Sequence, residues 1–222
     1  LIMSIQYNEE NKTLILSSQN DFVDIQDSID SQEIEHIIFE KDITTIPKEA
    51  FKDWKSLESV QGNNIKTIGM LAFQGCNQLK TADFPSVTHI ARQTFERTGL
   101  KSINFPEALS VSYHAFYKCS QLNSVQLEKA TTLGPSAFSG CSELTNIYVP
   151  LVENIERYAF SLCLNLSKIN LPNLKTIGPA AFYDCKMLKE VNLGNVTSLS
   201  GSTFAGSGIE TITLPEVQNI CK

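Results

Sequence analysis

The sequence has no Cys-x-x-Cys pair, no Gly-x-Ser-x-Gly, no phosphate-cradling glycine loop and no His-Glu-x-x-His. The usual signatures of zinc and redox sites, serine hydrolysis, nucleotide binding and zinc proteolysis are therefore missing. Charge is scarce too, at 19% of residues, and it is not basic: the net charge is -6 and the pI about 5.1. Phosphate binding needs a concentrated positive face, so neither nucleic acid nor an anionic membrane surface is an expected partner. No apolar run approaches the ~18 residues of a spanning helix, and direct membrane insertion is not expected. Leu1 to Ile5 is too short for a secretory core segment. The chain opens on Leu rather than Met, so a mature form or a trimmed piece is expected. What is plentiful is hydrophobic residues, 42% of 222, enough to bury the core of one domain or two small ones.

Those residues are periodic. Phe51, Phe73, Phe95, Phe116, Phe138, Phe160, Phe182 and Phe204 stand 22 residues apart, except for 21 between Phe95 and Phe116. Five residues before each Phe is an aliphatic residue, from Ile46 and Ile68 to Leu199, and immediately before it is Ala or Thr. Three apolar columns follow, as in Leu122, Val125 and Leu127, and a Pro often closes the unit, as at Pro85, Pro106, Pro150, Pro172 and Pro215. The copies ending Thr98-Gly99-Leu100 and Ser207-Gly208-Ile209 are one residue shorter before the next aliphatic. Glycine accepts the tighter turn, so the deletion falls in a loop and the columns realign.

Leu-x-x-Ile-x-Leu alternates at its end and reads as a short strand with Ile and the last Leu inward. So short a strand cannot bury a face alone. Copies must stack, each strand pairing in parallel with the next at ~4.8 Å, which predicts a quasi-one-dimensional solenoid. Stacked one coil apart, the Phe rings form an aromatic spine, each ring contributing ~1.5–3 kcal/mol by transfer.

Residues 3–7 and 12–16 flank Asn8-Glu9-Glu10-Asn11 and read as a hairpin. Ile34, Ile37 and Phe39 match the positions of Leu100, Ile103 and Phe105, with Ile29 in the ladder column. The expected organisation is a cap over residues 1–23 and a solenoid over 24–222. Within it, 24–45 is a degenerate first coil, eight Phe-ladder repeats follow, and Val217 and Ile220 start an unfinished last one. Asp21, Asp24, Asp27 and Asp30 lack the glycine turn and distal Glu of a calcium loop and read as a solvated face of the cap.

The pattern Ile-Gly-x-x-Ala-Phe-x-x-Cys-x-x-Leu-x-x-Ile-x-Leu-Pro, almost whole in Ile68 to Pro85, resembles the leucine-rich repeats of BspA-like proteins over roughly residues 30 to 220. The resemblance implies a leucine-rich-repeat solenoid with parallel strands on the concave side and short turns or helical turns elsewhere. It also implies a cell-surface or extracellular location and an association with adhesion, with no catalytic residue and no cofactor.

Candidate sites follow from the columns. Cys76, Cys119, Cys141, Cys163 and Cys185 fall three after the ladder Phe, where other copies place Trp54, Thr98 and Ser207; this reads as buried small side chains with free, unreactive thiols. Cys221 belongs to no column. His36, His89 and His114 stand at different repeat positions and are not expected to converge, and no metal site is expected. Tyr113, Tyr117, Tyr158 and Tyr183 fall in the outer turns and read as surface packing.

The outward strand positions form two columns. One is Ser59, Thr81, Ser102, Ser124, Asn146, Lys168, Glu190 and Thr211; the other is Gln61, Asp83, Asn104, Gln126, Tyr148, Asn170, Asn192 and Thr213. Within them Asp83, Asn104, Gln126, Asn146, Tyr148, Lys168, Asn170 and Asn192 are the candidate binding face. It is small and polar, with Tyr148 the one interface anchor, and suits a hydrated contact with a protein or glycan of a cell surface or matrix. The expected function is a non-catalytic binding or adhesion module. The alternative is a structural spacer that holds another domain away from an envelope and has no ligand of its own.

Overall fold

The computed structural model describes residues 5–210, 212, 214 and 219–220; Met3, Ser4, Thr211, Thr213, Val217 and Cys221 fall outside them, as do the side chains of Asp24 and Asp27. The chain is a parallel β-solenoid of about eight turns with almost no helix. β1 (Gln6–Asn8) and β2 (Thr13–Leu16) form an antiparallel hairpin, and α1 (Asp21–Ser28) follows. Each coil then supplies a longer and a shorter strand. The pairs are β3 (His36–Phe39) and β4 (Thr45–Ile46), β5 (Ser59–Gln61) and β6 (Thr67–Ile68), β7 (Thr81–Asp83) and β8 (His89–Ile90), and β9 (Ser102–Asn104) and β10 (Ser110–Val111). They continue with β11 (Ser124–Gln126) and β12 (Thr132–Leu133), β13 (Asn146–Tyr148) and β14 (Asn154–Ile155), β15 (Lys168–Asn170) and β16 (Thr176–Ile177), and β17 (Glu190–Asn192) and β18 (Ser198–Leu199). β19 (Asn219–Ile220) pairs with β18 in parallel.

The longer strands share one face of the coil, where β2 pairs in parallel with β3 and so joins the hairpin to the repeats. The shorter ones form a second sheet, β4 to β16, unbroken over seven strands. Register is one repeat throughout, as in Val125↔Ile147 and Leu133↔Ile155. Each strand therefore places like residues over like.

The third side of the coil is the turn around the ladder Phe. The Phe N–H donates to the carbonyl of the residue before the next ladder Phe, as in Phe138 to Ala159 at 2.8 Å and Phe182 to Thr203 at 2.9 Å. Intervening N–H groups close turns within their own coil, as in Ala72 to Gly69, Gln74 to Leu71 and Cys76 to Phe73. Alternate amides thus serve the coil and its neighbour, which satisfies a buried backbone without a regular strand. The geometry demands positive φ two residues before and two after the Phe, for example Leu71 (62°) and Gly75 (75°), or Ser136 (52°) and Gly140 (79°). These are the third positions of type II turns, and Pro135 and Pro179 sit at the second, where their fixed φ fits.

Inside, consecutive ladder rings from Phe51 to Phe204 lie 5.2–5.5 Å apart and close to parallel. A second aromatic column, Phe39, Phe84 and Phe105, packs beside the first, with Phe95 to Phe105 at 5.9 Å. Between Phe39 and Phe84 that column holds Gly62, whose missing side chain lets the two rings meet at 6.0 Å. A Cβ there would stand 2.9 Å from the Phe39 Cβ.

At the N-terminal end Phe22 of α1 lies 6.0 Å from Phe51 and 6.1 Å from Phe39. Ile29, aligned with the ladder by sequence, packs partly buried against the core. Gln19 Nε2 donates to Thr45 O at 2.8 Å, which blunts the free edge at β4. Asp21 corrects the reading of the acidic series as a solvated face. It is buried, and its Oδ2 accepts from the N–H groups of Ser17 (2.8 Å) and Ser18 (3.0 Å). The chain doubles back through these serines to enter α1, and their amides need an acceptor once water is excluded.

Candidate functional site

The outward face is set by strand alternation. The middle residue of each longer strand points into the coil and its two neighbours point out. All eight candidate positions, Asp83, Asn104, Gln126, Asn146, Tyr148, Lys168, Asn170 and Asn192, are exposed. They are not equivalent, because the longer-strand ladder is interrupted twice, between β7 and β9 and between β13 and β15. At the first break the Lys101 N–H still reaches Lys80 O at 3.4 Å. At the second, no hydrogen bond among the described residues joins Asn146–Tyr148 to Lys168–Asn170.

The two coils remain tied around this second break. Asn165 N–H donates to Ser142 O at 3.1 Å before it, Asn173 Nδ2 donates to Pro150 O at 2.8 Å after it, and β14 pairs with β16 on the other sheet. The opening is therefore local to the longer strands. Its consequence shows at Ile147. The other central residues from β3 to β17 are buried, whereas Ile147 is only partly so.

Over this break lies a hollow of about 780 Å³ lined by residues of β11, β13, β15 and β17. Gln126, Asn146, Tyr148, Lys168, Asn170 and Asn192 come together in its wall; Asp83 and Asn104 share the face but lie outside the hollow. Sequence reasoning did not single out Ile147, Lys189 or Glu190, which also line it. Glu190 stood in the outward column, but nothing in that column marks where the ladder opens. Tyr148 is 55% exposed. Asn192 is oriented at both ends, its Nδ2 donating to Asn170 Oδ1 at 2.8 Å and its Oδ1 accepting from Gly194 N–H at 3.1 Å.

The other candidates are elsewhere. The five column cysteines are buried and free, and each Sγ–H donates to the carbonyl of the ladder Phe one coil back, as in Cys76 to Phe51 and Cys185 to Phe160, both 3.0 Å. Burial pushes the Cys76 and Cys185 thiols up to about 12 and Cys119 up to about 11. His36 bonds Ser59 Oγ at 2.7 Å, His89 lies beside Thr88, and His114 stacks between Tyr113 and Tyr117, so the three do not meet. Burial lowers the His114 pKa against the opposing Glu96 carboxylate, with the Arg92 charge adding to the lowering, and Arg92 itself lies 5.0 Å over the Tyr113 ring. Among the described residues no cluster of three His, Cys, Asp or Glu could hold a metal ion, and no helix is long and apolar enough to cross a membrane.

A family model for the BspA type leucine rich repeat region matches the chain in six copies, over residues 24–132 and 109–222. No curated protein matches it. Among solved structures, the leucine-rich repeat protein of T. pallidum superposes with a TM-score of 0.57 at 19% identity, over 91% of this chain and 85% of that one. A leucine-rich repeat protein from Bacteroides ovatus superposes with a TM-score of 0.51 at 20% identity, over 93% and 68%. At such identities the likeness is one of fold.

Proposed function

Because the chain belongs to the BspA-type leucine-rich repeat family, we propose that it is a non-catalytic recognition module that contacts a protein or glycan through the face of its longer strands. Its place is outside the cell or on the cell surface, in keeping with that family. The observation that supports the reading most directly is the hollow over β13 and β15. There Gln126, Asn146, Tyr148 and Lys168 are exposed, and no hydrogen bond or ion pair of their side chains is seen among the described residues. Some exposed charges outside it are engaged across coils, as in Lys80 with Glu58 at 2.9 Å and Lys129 with Glu107 at 2.7 Å. Polar side chains not engaged within the molecule can turn to a ligand without first giving up a bond.

Adhesion of the whole chain to immobilised matrix proteins and arrayed glycans tests this. A Tyr148→Ala, Asn170→Ala double variant is expected to lose the binding at an unchanged melting temperature. Adhesion that survives the double variant would remove the strand-face site, and a chain that adheres to nothing would be a spacer.

A further inference from the structure

Resting on the recognition reading above, we infer that the hollow between β13 and β15 is a subsite for a neutral oligosaccharide, with one sugar ring seated on Tyr148.

The first argument is what the break exposes. Asn146 N–H bonds back to Asn123 O, and Tyr148 O accepts from Leu127 N–H, so both residues face β11. The alternation of a parallel ladder turns the N–H and C=O of Ile147 toward β15, and those of Lys168 and Asn170 toward β13. No rung closes between them. The floor of the hollow therefore offers backbone donors and acceptors together. Its wall does the same, with amides from Asn146 and Asn170, the Lys168 ammonium and the Glu190 carboxylate. A sugar hydroxyl is one donor and two acceptors at once and matches such a mixed surface group by group.

The second argument is what cannot enter. An extended peptide inserted as a strand would need the two coils to part to twice the ~4.8 Å strand spacing. On the opposite sheet Asn154 pairs with Thr176 and Ile155 with Ile177, holding the same coils one spacing apart. The gap is therefore too narrow for an inserted strand.

The third is charge and shape. Lys168 stands in register beside Glu190, and with Lys189 the lining carries two positive charges and one negative, a mixed set rather than the concentrated positive face that selects an anion. The exposed Tyr148 supplies a flat amphipathic ring, the surface on which the apolar face of a pyranose packs.

The test uses the whole chain and its Tyr148→Ala, Tyr148→Phe and Tyr183→Ala variants. They are probed on arrayed neutral oligosaccharides, on sialylated and sulfated ones, and on matrix proteins stripped of their glycans. Binding to neutral oligosaccharides is expected to fall at least ~10-fold in Tyr148→Ala, to persist in Tyr148→Phe, and to be unaltered in Tyr183→Ala, whose ring lies on the turn side. Circular dichroism and melting temperature establish that each variant is folded. Binding only to the stripped proteins, lost in Tyr148→Ala, overturns the sugar subsite and leaves the strand-face reading standing. Binding confined to acidic glycans also overturns it. Binding of any kind that survives Tyr148→Ala overturns the sugar subsite, and binding that also survives the Tyr148→Ala, Asn170→Ala double variant, or none at all, overturns both.

Discussion

Each buried thiol donates to a ladder-Phe carbonyl that already accepts an amide from its own coil, as when Phe138 O takes both Cys141 N–H at 3.1 Å and Cys163 Sγ at 3.3 Å. Ionising such a sulfur would remove the donor and leave a charge in apolar surroundings. Burial accordingly raises Cys76 to about 12 and puts Cys141 and Cys163 well above the ordinary thiol value. Thiols in the unfolded chain ionise near ~8.5. With the folded value the higher, their contribution is complete below about pH 8.5 and is lost as pH rises toward about 12. Stability measured by denaturant unfolding from pH 7 to 11 should therefore fall through the alkaline range, each thiol adding a slope of up to ~1.4 kcal/mol per pH unit. Cys76→Ser should make the fall shallower, and a flat profile would contradict the burial argument. Cys141→Ser itself should cost less than ~1.5 kcal/mol, since the hydroxyl keeps the donor.

The coil is the element that matters, and its core is the ladder of stacked Phe rings, flanked by a second column that is aromatic at Phe39, Phe84 and Phe105 and aliphatic from Leu127 on. Phe138 is fully buried between Phe116 at 5.2 Å and Phe160 at 5.5 Å. Phe138→Ala should cost ~3–5 kcal/mol, read as a lowered denaturation midpoint. An unaltered midpoint would mean the rings do not carry the core. Gly62 is the reverse case, a place where a side chain is missing by need. Gly62→Val must push against the Phe39 Cβ and Ile65 Cγ1, which stand 2.9 and 2.7 Å from where its Cβ would be. Overpacking of this kind should cost ~1–3 kcal/mol even though the substitution adds apolar surface.

In the whole molecule coils pack on their neighbours, apart from Phe39 and Phe84, which meet across the Gly62 coil, so stability is close to a sum of coil and interface contributions, and the ends are where opening starts. The N-terminal end is closed by α1, with Phe22 against Phe51 and Phe39 and Gln19 over Thr45 O. Phe22→Ala should speed amide exchange in the coils of Ile46 and Ile68 while leaving those of Leu133 and Ile155 close to unchanged, measured residue by residue. Uniform acceleration along the chain would show that the solenoid opens as one unit rather than from its end.

The repeat of eight phenylalanines was enough to read the coil length, the stacking direction, the inward residues and the exposed columns. Each is a periodic property, and a period of 22 residues with one 21-residue spacing survives without coordinates. The thiol column was legible for the same reason. Three things were not. α1 and the doubled-back serines that bury Asp21 belong to a segment without periodicity. The positive φ at Leu71 or Ser136 comes from closing a coil against its neighbour, a demand of the backbone that leaves no residue preference to read. The opening between β13 and β15 interrupts a repeat whose letters continue unbroken: Ile147 fills the same column as Val125 and Ile169, yet its strand has no rung on one side. Hydrogen bonding between coils is a relation of distance. Only the packed structure decides where it lapses, and with it where a ligand could enter.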